Sequence, residues 1–349
     1  MSEGERTSDV SQPPVTIKTR NIRSAKCEVL CCCCIAYTVV WKKRLQASSK
    51  KMKMNSPDDS SDNESSTSSS WLPLESNPAI FTSYARSTSH LSQSWEFVDV
   101  LGFGGDAKDD LLLLSPTESK ISNNVAGAIF LFPTTDAIYA DRGLQKSWLR
   151  KQNQLHHDVL SHNVFHLEQV KGFGNACGTI AATHVLLNSG LALPDIPDPF
   201  NERGKITSPL CTYKNTCIKI TSNADQEHDT LRRQRGEMLV QTQELHNISD
   251  RSAQSTASQT PCPESGDTYL GHHYCAFIPV KINGKNHLVE LDGTKIRPID
   301  HGTIEGEIDN DDVNNNAFLR AVANVVKRKW MTLEPNRIDF SLMALVQKS

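Results

Sequence analysis

The sequence lacks three features that would each define a class of protein. Basic residues are not in excess, since 37 Lys and Arg stand against 40 Asp and Glu and the pI is near 6.5. Domains that bind nucleic acid through a basic surface usually have a pI above about 9, so we expect no nucleic-acid partner. No apolar run reaches the roughly 20 residues of a membrane-spanning helix, and no internal repeat is present. Collagen-like, coiled-coil and integral-membrane proteins are thereby excluded.

The chain divides near residue 70 into two parts of different composition. Residues 55–70 contain eight serines, four acidic residues and no hydrophobic residue, too little apolar surface to offset the entropy lost on ordering. Residues 1–70 hold 11 basic and 8 acidic side chains, whereas the remainder holds 26 basic and 32 acidic ones. We predict a disordered basic leader over 1–70, ending in a Ser-rich acidic linker over 55–70, and an acidic folded domain over 71–349.

Five of the ten cysteines lie in the leader, within an apolar segment over 27–41 that precedes a basic cluster over 42–53. The apolar run is too short to span a bilayer and begins too far from the N-terminus for a secretory signal. Two interpretations stay open: S-acylation that gives weak membrane association through 27–53, or a misannotated leader without a role. Cys31 and Cys34 form a single C-x-x-C, which is insufficient for a zinc finger. The other cysteines show no disulfide framework, which favours a reducing compartment.

The second part of the chain has an α/β pattern. Strands are predicted over 95–100, 125–132, 164–169 and 338–346, the last with alternating burial, and helices over 175–190 and 317–330. The polar stretch over 224–270 is predicted to be a lid or a binding loop.

Cys177 lies at the start of the predicted helix 175–190, directly after a glycine-rich turn. A thiol in the first helical turn is close to the positive end of the helix dipole and to unpaired N–H groups. Both favour the thiolate, and the same N–H groups can bind a developing oxyanion. Gly178 is expected to leave room for a substrate carbonyl. By itself this pattern is weak, because cysteines in such turns are more often small buried hydrophobic residues.

Residues 273–293 predict a β-hairpin that supplies a histidine and a carboxylate. The Asn-Gly pair at 283–284 is the preferred type I′ turn, and the resulting register places His273 opposite Thr294. Asp292 is then the diagonal neighbour of His273 on the same face. Diagonal neighbours are roughly 7–8 Å apart at the backbone, within reach of an imidazole and a carboxylate. Such a carboxylate fixes the ring tautomer and stabilises the imidazolium.

Other polar residues of the domain are expected to have structural roles, and no metal or cofactor is expected. The glycine spacing before Cys177 does not match a phosphate-binding loop. The remaining candidates that we interpret as structural, or as lacking ligand partners, are His184, His272, Glu290, Asp300, His301, His156 and His157.

Five segments stand out by their order and intervals: WLPLESNP at 71–78, NACGT at 175–179, HYCAF at 273–277, ELDG at 290–293 and EPNRIDFSLMAL at 334–345. Together they resemble the ubiquitin carboxyl-terminal hydrolase family of papain-like cysteine proteases, over most of 71–349. The resemblance implies an α/β (α+β) papain-like fold. In that fold a central, mostly antiparallel sheet is flanked by helices, and the nucleophile lies at the N-terminus of a buried helix.

The resemblance also implies roles for individual residues. Cys177 corresponds to the nucleophile, His273 to the general base and acid, and Asp292 to the group that orients His273. The family places an oxyanion-binding Gln six residues before the Cys, where this chain has Lys171. Either the loop is two residues longer and Gln169 keeps this role, or the position is lost; the pattern of VFHLEQ favours Gln169.

The function implied by the resemblance is hydrolysis of amide or thioester bonds at the C-terminal glycine of ubiquitin, by a free-standing monomer in the cytoplasm or the nucleus. The polar stretch over 246–268 corresponds to a crossover loop that limits leaving groups to small adducts or peptides. Two alternatives stay open. One is a catalytically impaired module that stabilises free ubiquitin, and the other is a protease for a related ubiquitin-like modifier.

Overall fold

The computed structural model describes residues 70–102, 113–114, 121–151, 160, 163–192, 195–198, 201–220, 228–266, 268–306 and 316–348. The predictions for the leader, its Cys-rich segment and its Ser-rich linker concern residues outside these ranges, as does the prediction for His156 and His157. Within these ranges, no helix is long and apolar enough to cross a membrane.

The described residues form an antiparallel sheet with helices on both faces. The strands are β1 (Trp95–Gly102), β2 (Leu113–Leu114), β3 (Ile121–Pro133), β4 (Asp195–Asp198), β5 (Asn201–Thr207), β6 (His272–Ile282), β7 (Lys285–Leu291), β8 (Ile299–Thr303) and β9 (Ser341–Lys348). The helices are α1 (Pro78–Ser89), α2 (Asp136–Leu149), α3 (Cys177–Asn188), α4 (Pro209–Ile220), α5 (His228–Gln241), α6 (Gln243–Ala253) and α7 (Ala317–Val326), which a π-helical turn at Lys327–Met331 continues.

Seven strands pair in the order β2-β1-β9-β3-β6-β7-β8, while β4 and β5 form a separate hairpin. Every pairing between these strands is antiparallel. The predicted α+β class with a mostly antiparallel central sheet is therefore confirmed.

Strand β9 lies in the middle of the sheet, between β1 and β3. The predicted half-buried strand over 338–346 is wrong in two respects. The strand begins only at Ser341, and Ile338 is 96% exposed. From Leu342 to Val346 every side chain is buried, because a central strand with helices on both faces has no solvent side.

Helix α3 is the centre of one of the two cores. All residues from Gly178 to Leu187 are buried, as expected for a helix that is apolar on every side. A Cβ atom at Gly178 would lie 3.2 Å from the Tyr274 ring and 3.3 Å from Leu74 Cβ. Gly178 was expected to make room for a substrate carbonyl. The structure instead gives it a packing role, because the missing side chain lets α3 approach β6.

Helix α7 and Trp330 cover the opposite face of the sheet. There they pack against Phe130, Phe132 and Phe277, alternate residues of β3 and β6. The intervening residues of these strands face α3, which confirms the alternation predicted for the hairpin. Phe318, Val322 and Val326 are spaced four residues apart on α7 and are all fully buried.

The segment over 164–169 is not a strand, contrary to prediction. Its backbone N–H groups are bound by different parts of the molecule: Leu167 donates to His184 Nε2 at 3.2 Å, and Gln169 donates to the Gly293 carbonyl at 2.8 Å. Backbone N–H groups that bind a side chain or a loop carbonyl need no neighbouring strand. A segment with the composition of a strand can therefore lie outside the sheet.

The polar stretch over 224–270 is also different from the prediction, because α5 and α6 occupy residues 228–253. Among the described residues between α6 and β6, 254–266 and 268–271 lie outside helices and strands, so the crossover loop predicted over 246–268 begins later. Helix α6 buries Leu245, His246 and Ile248 on one face. This amphipathic pattern was present in the sequence but was obscured by its many polar residues.

Candidate active site

Cys177 is the first residue of α3 and is half-buried. Ala176 precedes it without a side-chain hydrogen bond to cap the helix, so the first N–H groups are left for other acceptors. The thiol lines a cleft of about 410 Å³ between α2, the start of β6 and the turn after β7. His273 and Gln169 line the same cleft.

The hairpin that carries the histidine has the predicted turn and register. Asn283 and Gly284 both have positive φ, 49° and 80°, as a type I′ turn requires. Pairing runs from Ile282 with Lys285 to Ala276 with Leu291. Beyond Leu291 the ladder ends, so the predicted pairing of His273 with Thr294 is wrong.

Two other features place the histidine and the carboxylate together. His273 pairs with Phe132 of β3 instead. Asp292 lies in a turn that the Lys295 N–H closes on the Asp292 carbonyl at 3.0 Å. The His273 Nε2 and Asp292 Oδ1 atoms are 2.9 Å apart, so the predicted contact is present although it does not arise from strand pairing.

Asp292 Oδ1 is held by further donors from its own turn. Thr294 donates to it twice, from its backbone N–H at 2.9 Å and from its hydroxyl at 2.8 Å. The Asp292 side chain is fully buried. Such multiple donors fix both the position and the ionised state of the carboxylate.

The electrostatics of the pair favour a charged imidazole. Burial by itself would lower the pKa of His273, but the Asp292 carboxylate and the Cys177 thiol outweigh it and raise the pKa to about 9. Burial likewise opposes ionisation of Asp292, yet Arg142 and His273 hold the pKa of that carboxyl well below its ordinary value. At neutral pH the ring is therefore protonated and can stabilise a neighbouring thiolate.

Arg142 on α2 was not identified from the sequence. Its Nη1 lies 2.8 Å from Asp292 Oδ2. Helix α2 and Asp292 are far apart along the chain, and no sequence spacing connects them. Only the fold of β3, which leads into α2 beside β6, brings them together.

Of the two candidates for the oxyanion position, Gln169 lines the cleft that holds Cys177. Its Nε2 donates to the Gly174 carbonyl at 3.1 Å, which leaves its second N–H for another acceptor. Lys171, by contrast, is exposed in the following turn and is not among the residues that line the cleft. The chain turns directly after Val170, where Gly172 has a φ of 92°.

The described residues interpreted as structural have partners other than Cys177. Glu290 is fully buried and binds Lys295, with His301 at 2.8 Å and Lys329 at 3.1 Å. His184 is buried in α3 and accepts the Leu167 N–H. His272 lines the cleft, but its Nε2 is 3.0 Å from Asp339. Among the described residues, no group of three or more His, Cys, Asp or Glu side chains could hold a metal ion.

An N-terminal strap, residues 70–77, adjoins the loop before Cys177. The Trp71 N–H donates to the Phe173 carbonyl at 2.9 Å, and the Asn175 N–H donates to the Trp71 carbonyl at 3.2 Å. The Trp71 ring stacks on His246 of α6 at 4.7 Å. The strap therefore fixes the backbone that precedes the thiol.

The same strap anchors the loop over 254–271. The Glu75 carboxylate accepts the N–H groups of Gln259 at 2.8 Å and Thr260 at 3.2 Å. Asn175 binds the Thr268 carbonyl at 2.7 Å. The end of the loop, from Tyr269 to Gly271, lines the cleft beside Cys177, so the loop borders the reactive centre.

A thiol and an imidazole that share one cleft, with a buried carboxylate bound to the imidazole, form the constellation of a thiol hydrolase. Comparison with known proteins identifies the family. The model for ubiquitin carboxyl-terminal hydrolase, family 1, matches residues 71–329. A probable ubiquitin carboxyl-terminal hydrolase of Dictyostelium discoideum is 30% identical over 279 residues, which cover 80% of this chain and 89% of that protein. A ubiquitin carboxyl-terminal hydrolase of Drosophila melanogaster is 28% identical over 276 residues, covering 79% of this chain and 97% of that protein.

Solved structures include the catalytic domain of Trichinella spiralis UCH37 bound to ubiquitin vinyl methyl ester. It is 18% identical, with a TM-score of 0.48, and the match covers 80% of this chain and 96% of that one. On the family match and the curated relatives, the chain belongs to family 1 of the ubiquitin carboxyl-terminal hydrolases. It is accordingly a cysteine-type deubiquitinase.

Proposed function

We propose that this enzyme hydrolyses amide or thioester bonds at the C-terminal glycine of ubiquitin, with Cys177, His273 and Asp292 as its catalytic group. One observation carries the proposal. His273 is bound through Nε2 to a buried Asp292 and shares a cleft with Cys177, the first residue of a buried helix.

In the first half of the reaction, the Cys177 thiolate attacks the terminal carbonyl carbon of ubiquitin. The oxyanion that forms accepts hydrogen bonds from the first N–H groups of α3 and from Gln169 Nε2. Protonated His273 gives its proton to the leaving amine or thiol. The carbon–nitrogen or carbon–sulfur bond then breaks, and ubiquitin stays attached to Cys177 as a thioester.

In the second half, water hydrolyses the thioester. Neutral His273 removes a proton from the water as its oxygen attacks the thioester carbon. Collapse of the second tetrahedral intermediate releases the ubiquitin carboxyl group, which loses its remaining proton to solvent, and regenerates the Cys177 thiolate beside the imidazolium. Asp292 keeps the ring in one orientation through both halves.

The leaving groups are proposed to be small adducts and peptides. The loop over 254–271 is fastened to the strap through Glu75 and to the nucleophile loop through Asn175. Its end borders Cys177, so a ubiquitin tail would pass beneath a tethered segment of chain. A bulky folded group could not follow without release of these contacts.

Capture by a ubiquitin with an electrophilic C-terminus, such as a vinyl methyl ester, tests the proposal. We expect one adduct per molecule, located on Cys177 by mass spectrometry of the digested protein. Cys262 is the other half-buried cysteine of the described residues, so a Cys262→Ser variant should be captured at the same rate. Adducts on other cysteines, or faster capture by a related modifier in competition, would contradict the assignment.

The oxyanion role is tested by comparing Gln169→Ala with Lys171→Ala. We expect Gln169→Ala to lower kcat by about 10²–10³-fold, the usual cost of one oxyanion donor. KM should change little, since the oxyanion exists only in the transition state. Lys171→Ala is the matched control and should keep full activity. A loss of kcat in the Lys171 variant alone would place the oxyanion donor at that position instead.

A further inference from the structure

Arg142 extends from the cleft-facing side of α2 to the carboxylate behind His273. Its Nη1 is 2.8 Å from Asp292 Oδ2, and its Nη2 donates to the Thr294 hydroxyl. The guanidinium carbon lies 5.4 Å from the centre of the Phe132 ring, and that ring meets His273 edge-on. Arg142 therefore contacts both the acid and the side chains that enclose the histidine.

The two oxygens of Asp292 have different partners. Oδ1 accepts from His273 and twice from Thr294, whereas Oδ2 faces Arg142. The Arg142 contact is a close charge pair between a guanidinium nitrogen and a carboxylate oxygen. It therefore contributes mainly charge at Oδ2, while the hydrogen bonds at Oδ1 give direction.

A second cation is needed because the charge of His273 changes during the reaction. Asp292 is completely buried, and a buried carboxylate without a counter-charge is strongly destabilised. When His273 has given up its proton, the ring no longer supplies that charge. Arg142 is 15% exposed, sits on another element and keeps its charge throughout.

Other ionisable groups face Asp292, but they do not replace Arg142. Lys295 lies nearby and is bound to Glu290, which also binds Lys329. The remaining ionisable neighbours are His166, whose Nε2 contacts the Asp292 carbonyl, with His184 and Cys275 farther off. His184 and Cys275 are buried side chains with pKa values shifted towards their neutral forms.

We infer that Arg142 is a positioning residue for the proposed hydrolysis, holding the Asp292 carboxylate ionised and in place when His273 is neutral as well as when it is protonated. The inference rests on the proposed function, since it assigns Arg142 an effect through His273. It also makes α2, a wall of the cleft, part of the support for the catalytic group.

A double-mutant cycle of Arg142→Met and Asp292→Asn tests this inference. Methionine keeps an unbranched apolar chain and removes the charge. We expect Arg142→Met to lower kcat for a ubiquitin C-terminal amide by about 10- to 100-fold, the usual cost of a displaced catalytic group, with little change in KM. In the Asp292→Asn background the same substitution should change kcat by less than about threefold, because residues that act as one unit are not additive.

Arg150→Met is the matched control. Arg150 follows the same helix, is exposed and is not among the residues that line the cleft, so kcat should be unchanged. Thermal unfolding of each variant separates lost catalysis from lost folding. If Arg142→Met is unfolded at the assay temperature, Arg142→Gln takes its place in the same cycle.

The inference is overturned if the Arg142 substitution leaves kcat unchanged. It is also overturned if the fold-reduction in kcat of the double variant equals the product of the fold-reductions of the two single variants. A purely structural contribution of Arg142 gives the second result. Failure of the proposed function is a separate outcome, since wild-type protein would then not hydrolyse the amide. In that case the double-mutant cycle is measured by the rate at which iodoacetamide alkylates Cys177 in each variant. This rate depends on His273 and Asp292 but requires no ubiquitin.

Discussion

Replacing Cys177 with alanine is expected to abolish hydrolysis of a ubiquitin C-terminal amide while ubiquitin binding persists. The proposed reaction passes through a thioester on this sulfur, and no other group in the cleft replaces a thiolate nucleophile. Cys177 is half-buried at the start of α3, and alanine fills part of the same space and favours a helix. The fold and the surface that meets ubiquitin should therefore remain.

Two measurements check this expectation: release of a fluorescent amine from the C-terminus of ubiquitin, and calorimetric titration with free ubiquitin. The Cys262→Ser variant serves as the control for removal of a thiol. Turnover at the wild-type rate by the Cys177 variant would exclude Cys177 as the nucleophile. Loss of both turnover and binding, with an intact thermal transition, would show that the sulfur contributes to recognition.

Asp292→Asn is expected to lower kcat by about 10²–10⁴-fold, the range for loss of efficient acid–base catalysis. The substitution removes the charge that raises the pKa of His273 to about 9. It also leaves the Arg142 guanidinium facing a fully buried amide instead of a carboxylate. Both effects destabilise the protonated form of His273, which stabilises the Cys177 thiolate.

The sign of the accompanying pH effect follows from the same contacts. Protonated His273 is the active form beside the thiolate, so the wild-type kcat/KM should fall as the pH rises through about 9. Without the carboxylate charge the ring loses its proton at lower pH, and this alkaline limb should move to lower pH. The measurement is kcat/KM against pH for both proteins.

Asp300→Asn provides a matched control for the charge change. Asp300 Oδ2 lies 2.9 Å from His287 Nδ1, so it forms a second His–Asp pair in the same sheet, and neither residue lines the cleft. Its variant should keep the wild-type profile. An unchanged alkaline limb in the Asp292 variant would show that Asp292 does not control the protonation of His273.

The hairpin could be predicted from the sequence because its determinants are local. An Asn-Gly pair fixes the turn, and the turn fixes the register of every residue as far as Leu291. This register predicted the position of Asp292 closely enough to bring its carboxylate within reach of the His273 side chain. The error at Thr294 arose because the ladder was extended past its end, where a turn takes over.

The parts that the sequence did not predict depend on long-range packing. Helices α5 and α6 are stabilised by individual apolar residues that pack into the core. Their many polar side chains led to the prediction of a loop. The burial of β9 depends on its neighbours β1 and β3 rather than on its own alternation. Arg142 was missed for the same reason, because the partner of a charged residue cannot be read from local spacing.

The central position of β9 has a consequence for how the molecule is assembled during synthesis. Every other described strand and helix precedes it in the chain, yet β1 and β3 meet only through it. Until residues 341–348 leave the ribosome, the nascent domain lacks the strand that joins β1 to β3 in the sheet. A premature stop before this segment would leave hydrogen-bonding groups exposed on β3, a template for aggregation, even though every proposed catalytic residue had already been made.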